Sequence, residues 1–338
     1  MTAQAQQPTP ALFFDTVASY QRSEALKSAI ELDLFTAIGE GNHTAAQIGS
    51  RCAASERGTR ILCDYLTMIG LLTKHGDTYG LTQDSAVFID RRSPAYLGGA
   101  IDFLLADNLI DGFKHLTDAV RKGGTAIPDD GSLAPEHPMW IKFASAMAGM
   151  MRPSAEGIAQ LVDPEANHKL KVLDIAASHG LFGLAFATRN PQAEIVGLDW
   201  ANVLELSKEN AKAAGVADRH STIAGSAFDV DYGTGYDVVL LTNFLHHFDR
   251  ATNEKLLRKV HAALAEGGRA VTLEFVPNSD RVSPPGVAGF SLTMLATTPS
   301  GDAYTFEELD GMFKSAGFAK SELHEIPASI EQVIVSLK

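Results

Sequence analysis

The stretch K-V-L-D-I-A-A-S-H-G-L-F-G at residues 171–183, followed after a polar gap by E-I-V-G-L-D at 194–199, sets the fold class. A run of β-formers ends in Asp174, a turn of small residues follows, and Leu181, Leu184 and Phe186 then recur at helical spacing. Asn190-Pro191 breaks that segment, and a second apolar run closes on Asp199. Strand, helix, strand in so short a span is a βαβ unit. In open parallel sheets ligands bind beyond the carboxyl ends of the strands, and small residues in the first turn let a ligand approach the backbone. Asp199 is placed to accept both hydroxyls of a ribose, which fits any nucleoside-bearing cofactor.

Asp174 narrows the choice. A dinucleotide fold presents pyrophosphate at the end of the first strand, where a carboxylate is unwelcome. A sulfonium cofactor, with its cationic sulfur and ammonium group, gains from that charge. These residues resemble the class I S-adenosylmethionine-dependent methyltransferases, in the small-molecule O-methyltransferase branch with an N-terminal winged-helix dimerisation domain. The resemblance covers most of the chain. It implies an α/β, Rossmann-like methyltransferase sheet, mostly parallel with its last strand antiparallel, behind a mainly helical N-terminal domain.

The chain also departs from the branch. The glycine loop D-x-G-x-G-x-G keeps only Gly180; Ala176 and Ser178 replace the first two glycines. Neither adopts positive φ without cost, so a differently shaped turn is expected. After the helix that starts near Trp200, S-T-I-A-G-S-A-F at 221–228 reads as a third strand and its loop. The branch usually has Gly-Asp there; here Gly225, Ser226, Ala227 and Phe228 stand in. The Ser226 hydroxyl retains one hydrogen bond for an adenine edge, and Phe228 either packs on the base or belongs to the core. With Thr242 and Asn243, these residues complete the expected S-adenosylmethionine site, whose product is S-adenosylhomocysteine. No metal is expected.

Y-D-V-V-L-L at 236–241 reads as the fourth strand, with T-N-F-L-H-H-F-D at its carboxyl end. Methylating a phenol requires loss of the hydroxyl proton as the oxygen attacks, and a neutral imidazole is a suitable general base. His246 matches the catalytic histidine of the branch; His247 replaces the acidic residue that usually follows it. Glu274, closing the strand R-A-V-T-L-E, matches one of two glutamates that flank that histidine and orient it. The other should precede Thr305, but Ala303 occupies the matching position, with Asp302 one step away. Trp140, Phe143, Met147 and Met150 share one helical face, which is either core or the wall of an acceptor pocket; Phe290 and Met294 are candidates for the opposite wall, and His247 for its floor.

The remaining sequence supplies context. The 338 residues suggest two domains, with 45% hydrophobic and 20% charged residues, as in ordinary globular proteins. Residues 1–95 form the expected dimerisation domain, 96–165 linking helices around the acceptor pocket, and 166–338 the cofactor-binding catalytic domain. Residues 11–20 and 23–38 read as helices, Thr44 and Ser55 as caps of two more, and L-L-T-K-H-G-D-T-Y-G-L-T at 71–82 as a hairpin. Further helices are expected at 103–120, 251–264 and 304–317, with a loop around Pro128 to Pro138. Two final strands, close in sequence, should pair antiparallel.

Helix, turn, helix and wing also outline a DNA-binding module. The first hundred residues, however, set ten carboxylates against eight lysines and arginines, and the net charge of the chain is −13. Neither nucleic acid nor an anionic membrane is therefore an expected partner; a second copy of the chain and a small-molecule acceptor are. Cys52 and Cys63 lack ligand spacing, and the N-terminus lacks an apolar signal core, both pointing to the cytoplasm. Three activities remain open from the residues. The first is O-methylation of a small aromatic or phenolic compound. The second is C- or N-methylation or a related reaction of the same cofactor. The third is a degenerate scaffold that regulates by binding ligand or DNA.

Overall fold

A computed structural model describes residues 8–128, 139–327 and 329–338; most of the expected loop at 128–138 lies outside the described residues. The chain divides into two compact units, residues 1–105 and 106–338.

In the first unit, helices α1 (Ala11–Ala18), α2 (Tyr20–Glu31), α3 (Leu34–Gly39), α4 (Ala45–Arg51) and α5 (Glu56–Met68) precede an antiparallel hairpin of β1 (Leu72–His75) and β2 (Thr78–Leu81). Two short helices follow, α6 (Gln83–Phe88) and α7 (Ile101–Leu104). Ala29, Leu34, Phe35, Ile38, Ile48, Cys63, Leu66 and Tyr79 form its core. Thr44 caps α4 in a reciprocal capping box with Gln47, and Ser55 caps α5 through the Gly58 N–H, as their spacing foretold. The single helix expected at 23–38 is two: Asp33 takes φ 56°, turning the chain between α2 and α3 so that Leu34 and Phe35 enter the core. On α5, Arg60 pairs with Asp64 at 3.0 Å, and Asp64 also holds Lys74 at 2.5 Å.

The helix expected at 103–120 is broken into α7, which ends the first unit, and α8 (Asp107–Lys114) and α9 (Leu116–Lys122), which begin the second, because the backbone leaves helical angles at Ala106 and His115. Gly112 on α8 lies where a Cβ would sit 2.8 Å from the Ala296 carbonyl, so docking on α15 (Phe290–Thr297) redirects the chain there. Helix α10 (Met139–Val162) runs through Pro153 without ending.

The sheet then forms from β3 (Leu170–Ile175), β4 (Ala193–Asp199), β5 (His220–Ala224), β6 (Tyr236–Thr242), β7 (Leu264–Glu274), β8 (Lys320–Glu325) and β9 (Gln332–Leu337). Its order is β5-β4-β3-β6-β7-β9-β8. The first five strands are parallel; β9 runs antiparallel to both β7 and β8, the reversed pair expected of the last two segments. Helices α11 (Leu181–Arg189), α12 (Ala201–Ala213), α13 (Arg250–Ala263), α14 (Pro285–Ala288) and α16 (Phe306–Ser315) complete the unit. Because β9 is reversed, its first residues stand at the carboxyl ends of the parallel strands, with Gln332 opposite Glu274. Among the described residues, no helix is long and apolar enough to cross a membrane.

Helix α16 begins with a capping box in which the Thr305 hydroxyl accepts the Glu308 N–H and the Glu308 carboxylate accepts the Thr305 N–H. Thr305→Ala should cost about 1 kcal/mol. Urea unfolding should show this as a lower midpoint with unchanged slope; an unmoved midpoint would mean that the cap carries no stability.

Candidate active site

Burial drives the cofactor loop into its shape. Asp174 closes β3 fully buried, its Oδ2 accepting the Gly183 N–H at 2.9 Å near the start of α11. The Leu181 N–H is taken by His179 Nδ1 at 3.1 Å. The N-terminus of α11, which in a dinucleotide fold receives pyrophosphate, is thus satisfied by the chain's own side chains. His179, absent from the sequence-derived site, is held neutral by burial, its pKa pushed down to about 4. No spacing signal marked it.

The loop keeps the left-handed turns that its lost glycines would have supplied. Ala176 has φ 56°, Ser178 φ 52° and Gly180 φ 75°, so the expected change of shape does not occur. Three hydrogen bonds hold it: Ala177 N–H to the Leu198 carbonyl at 3.0 Å, Ser178 N–H to Asp199 Oδ2 at 2.8 Å, and Gly180 N–H to the Ala177 carbonyl at 2.6 Å. Asp199 also accepts the Trp200 N–H at 2.7 Å through Oδ1, which fixes its carboxylate at the carboxyl end of β4. Asp174 Oδ1 and the Ser178 hydroxyl are buried with no partner among the described residues. Small residues, two orphaned polar atoms and paired carboxylates fit a cationic nucleoside cofactor.

Burial pushes the Asp174 carboxyl up to about 7 and that of Asp199 up to about 6. A cation brought beside them would favour their charged forms.

The loop after β5 continues this rim. Gly225, at φ 132°, donates to the Asp199 carbonyl, and the Ser226 hydroxyl accepts the Phe228 N–H at 3.2 Å, leaving its proton to donate. Lys259 bonds the carbonyls of Ala227 and Phe228 at 3.1 Å and lies over the Tyr232 ring, holding the loop from below. Phe228 packs edge-on against Phe248, at the border of the core.

The catalytic candidates meet at the carboxyl ends of β6 and β7. After Thr242, Asn243 takes φ 53°, and a short turn at Leu245–His247 follows. Glu274 Oε1 accepts the N–H groups of Phe244, Leu245 and His246 at 3.1, 2.8 and 3.3 Å. Its Oε2 contacts His246 Nδ1 at 2.5 Å. Both side chains are buried. Asp302 does not reach the imidazole: its carboxylate pairs with Arg281 at 3.2 Å, and only its backbone N–H touches the His246 carbonyl. Ala303 is wholly buried. One carboxylate therefore orients His246.

Around that imidazole lies an aromatic wall. Phe290 meets His246 edge-on at 4.9 Å and stacks on Phe275 at 4.0 Å. His247 lies 4.3 Å from His246 and meets Trp140 edge-on at 5.7 Å; Trp140 in turn meets Phe143 at 6.3 Å. Burial holds His247 neutral, well below its ordinary pKa. Its Nδ1 and Trp140 Nε1 have no partner among the described residues. Met147 and Met294 are buried, whereas Met150 is only half-buried. Met151, Phe275 and Glu331 are further residues of this region that the sequence reading missed. Met151 follows Met147 by four, so helical spacing alone marked it.

A family model described as an O-methyltransferase domain matches residues 113–319, and one described as an O-methyltransferase dimerisation domain matches residues 14–91. The 3-hydroxy-5-methyl-1-naphthoate 3-O-methyltransferase of Streptomyces sahachiroi is 28% identical over 91% of this chain and 89% of its own. The tetracenomycin polyketide synthesis 8-O-methyl transferase TcmO of Streptomyces glaucescens is 29% identical over 90% of this chain and 89% of its own. A crystal structure from Nostoc punctiforme, described as a candidate O-methyltransferase, superposes with a TM-score of 0.96 at 58% identity, covering 98% of this chain and all of that one.

Two outcomes follow from the loop. Replacing both Ala176 and Ser178 by glycine should stabilise the fold by about 1 kcal/mol, the relief of two left-handed side chains less the added unfolded-state entropy; a loss of stability in urea would show that the turn is not strained. The raised Asp174 carboxyl stays protonated in the cofactor-free fold where the unfolded chain, near 3.8, has already ionised. Its contribution to stability is therefore fully present below about 3.8 and is lost as pH rises to about 7. Asp174→Asn should flatten that part of the stability profile, and an unchanged profile would contradict it.

Proposed function

Because the chain belongs to the O-methyltransferase family, with both its catalytic and its dimerisation domains, we propose that it moves the methyl group of S-adenosylmethionine onto a hydroxyl of a small aromatic acceptor, with His246 as general base. The observation that carries this reading is the His246–Glu274 pair, buried at the carboxyl edge of the sheet beside an aromatic wall. The cofactor supplies an electrophilic methyl on a cationic sulfur. Asp174 and Asp199 hold it by charge and by the ribose, with Ala176, Ser178, Gly180, Trp200, Thr242 and Asn243 around it and Gly225 to Phe228 at the adenine.

Glu274 accepts the Nδ1 proton of His246, which leaves the Nε2 lone pair for the acceptor hydroxyl. His246 Nε2 takes the hydroxyl proton as the acceptor oxygen receives the methyl group that a bound cofactor would supply. Glu274 then faces an imidazolium, whose charge it stabilises. Trp140, Phe143, Met147, Phe290 and Met294 hold a flat ring against the pair, with Met150 at its margin, and His247 offers a neutral polar edge. Positioning supplies much of the remaining acceleration, since nucleophile, carbon and sulfur must be collinear. The relatives named for naphthoate and tetracenomycin methylation support a fused aromatic acceptor.

The dimerisation-domain match also supports a homodimer. Helix α1 exposes Leu12, Phe13, Phe14 and Val17, an apolar surface suited to a second copy of the chain. The charge pairing of Arg60 and Lys74 with Asp64 leaves the hairpin region little cationic charge for DNA.

His246→Ala should leave S-adenosylmethionine affinity within about twofold while turnover of a naphthol acceptor falls at least about a hundredfold. Asp199→Ala should abolish saturable cofactor binding by calorimetry. Unchanged turnover in the first variant would remove His246 as base, and unchanged binding in the second would remove Asp199 from the cofactor site.

A further inference from the structure

At the reversed edge of the sheet lies a buried carboxyl that the chemistry above does not use. Glu331 immediately precedes β9, so the antiparallel register brings it to the end of β7, one residue from the Gln332 that pairs with Glu274. It is 5% exposed, and its Oε1 has no hydrogen-bond partner among the described residues. The Asn243 side-chain amide hydrogen-bonds to its carboxyl, and Glu274 is near enough to act on its charge. Asn243 is itself held left-handed at the carboxyl end of β6, its Nδ2 touching the Met151 sulfur on α10 at 3.7 Å, and its Oδ1 is likewise buried without a partner among the described residues.

A buried polar group left unpaired is destabilising. Two such atoms, on residues that bond to each other and lie next to the base-orienting Glu274, are a poor device for stability. They make sense as one half of a hydrogen-bonded contact. From this cluster we infer that Glu331 and Asn243 form a polar subsite that reads a second hydroxyl on the aromatic acceptor, separate from the hydroxyl that is methylated. The inference rests on the O-methyltransferase reading above.

The chemistry of the two atoms selects the group. Asn243 Oδ1 only accepts, so a ring carbonyl cannot satisfy it. Burial raises the Glu331 carboxyl to about 8, so near neutral pH it carries a proton and offers both a donor and an acceptor. A hydroxyl donates to Asn243 Oδ1 and exchanges a hydrogen bond with whichever Glu331 oxygen faces it. An amine also donates; the cofactor's own ammonium is such a group, and the test below separates it from the acceptor.

The experiment compares dihydroxynaphthalenes with the naphthols in which the second hydroxyl is replaced by hydrogen, using wild type, Glu331→Leu and Glu331→Gln. Wild type should favour at least one diol over its naphthol by about tenfold or more in kcat/KM, as expected of a site whose buried polar atoms are otherwise unpaired. Glu331→Leu should reduce that ratio to about twofold or less while leaving S-adenosylhomocysteine affinity unchanged, and Glu331→Gln, which keeps a carbonyl and an N–H, should retain most of the ratio. No preference in wild type, or a ratio untouched by Glu331→Leu, would overturn the subsite. Weakened S-adenosylhomocysteine binding in Glu331→Leu would overturn it too, by placing the carboxyl on the cofactor. The same ratios read by calorimetry on protein saturated with S-adenosylhomocysteine decide the subsite even if no naphthol is methylated, an outcome that would count against the proposed function instead.

Discussion

The second unit is organised at its working edge around the carboxylate of Glu274. One oxygen gathers three consecutive backbone N–H groups, those of Phe244, Leu245 and His246, and the other meets His246 Nδ1. Each charge-assisted bond of this kind contributes about 1.5–3 kcal/mol. The turn after β6 cannot shift relative to the end of β7 without breaking several of them together. The imidazole is consequently held with Nδ1 against Glu274, and the aromatic wall of Phe290 and Phe275 is built against it. In the branch it resembles a second glutamate would share this task. Here Asp302 is drawn away by Arg281, and the whole orientation falls to Glu274.

At the other end of the same edge, the protein discriminates between cofactors by filling the start of α11 with its own groups. Asp174 and His179 occupy N–H groups that a pyrophosphate would need, and the buried carboxyls of Asp174 and Asp199 make the pocket suited to positive charge. The left-handed Ala176, Ser178 and Asn243 all border this region. Non-glycine residues are held there only when their surroundings over-determine them, and the hydrogen bonds linking the loop to Leu198 and Asp199 do so.

Much of this was legible in the residues because periodicity and punctuation agreed. The strand, small-residue turn and helix of 171–189 follow from a run of β-formers, a small-residue break and helical spacing, and His246 and Glu274 were singled out by their places at strand ends together with the resemblance to the branch. The failures have physical causes. Asp33 breaks a helix without any glycine or proline to announce it, and the 103–120 segment breaks because docking on α15 overrides its local preference. Ala176 and Ser178 were expected to reshape the loop, but tertiary hydrogen bonds impose the glycine conformation on them. Asp302 stood one step from the missing glutamate, and nothing local revealed its pairing with Arg281. Glu331 escaped notice because only the reversal of β9 carries it from the far end of the chain to the active edge.

The most direct measurement concerns the proton on His246. Nitrogen-15 NMR of histidine-labelled protein, with the resonance assigned by its loss in His246→Ala, reports which ring nitrogen carries the hydrogen. Near neutral pH the hydrogen should lie on Nδ1, with Nε2 bare, and this tautomer should lose its dominance in Glu274→Ala. A hydrogen on Nε2, or a tautomer indifferent to Glu274, would contradict the role given to the pair.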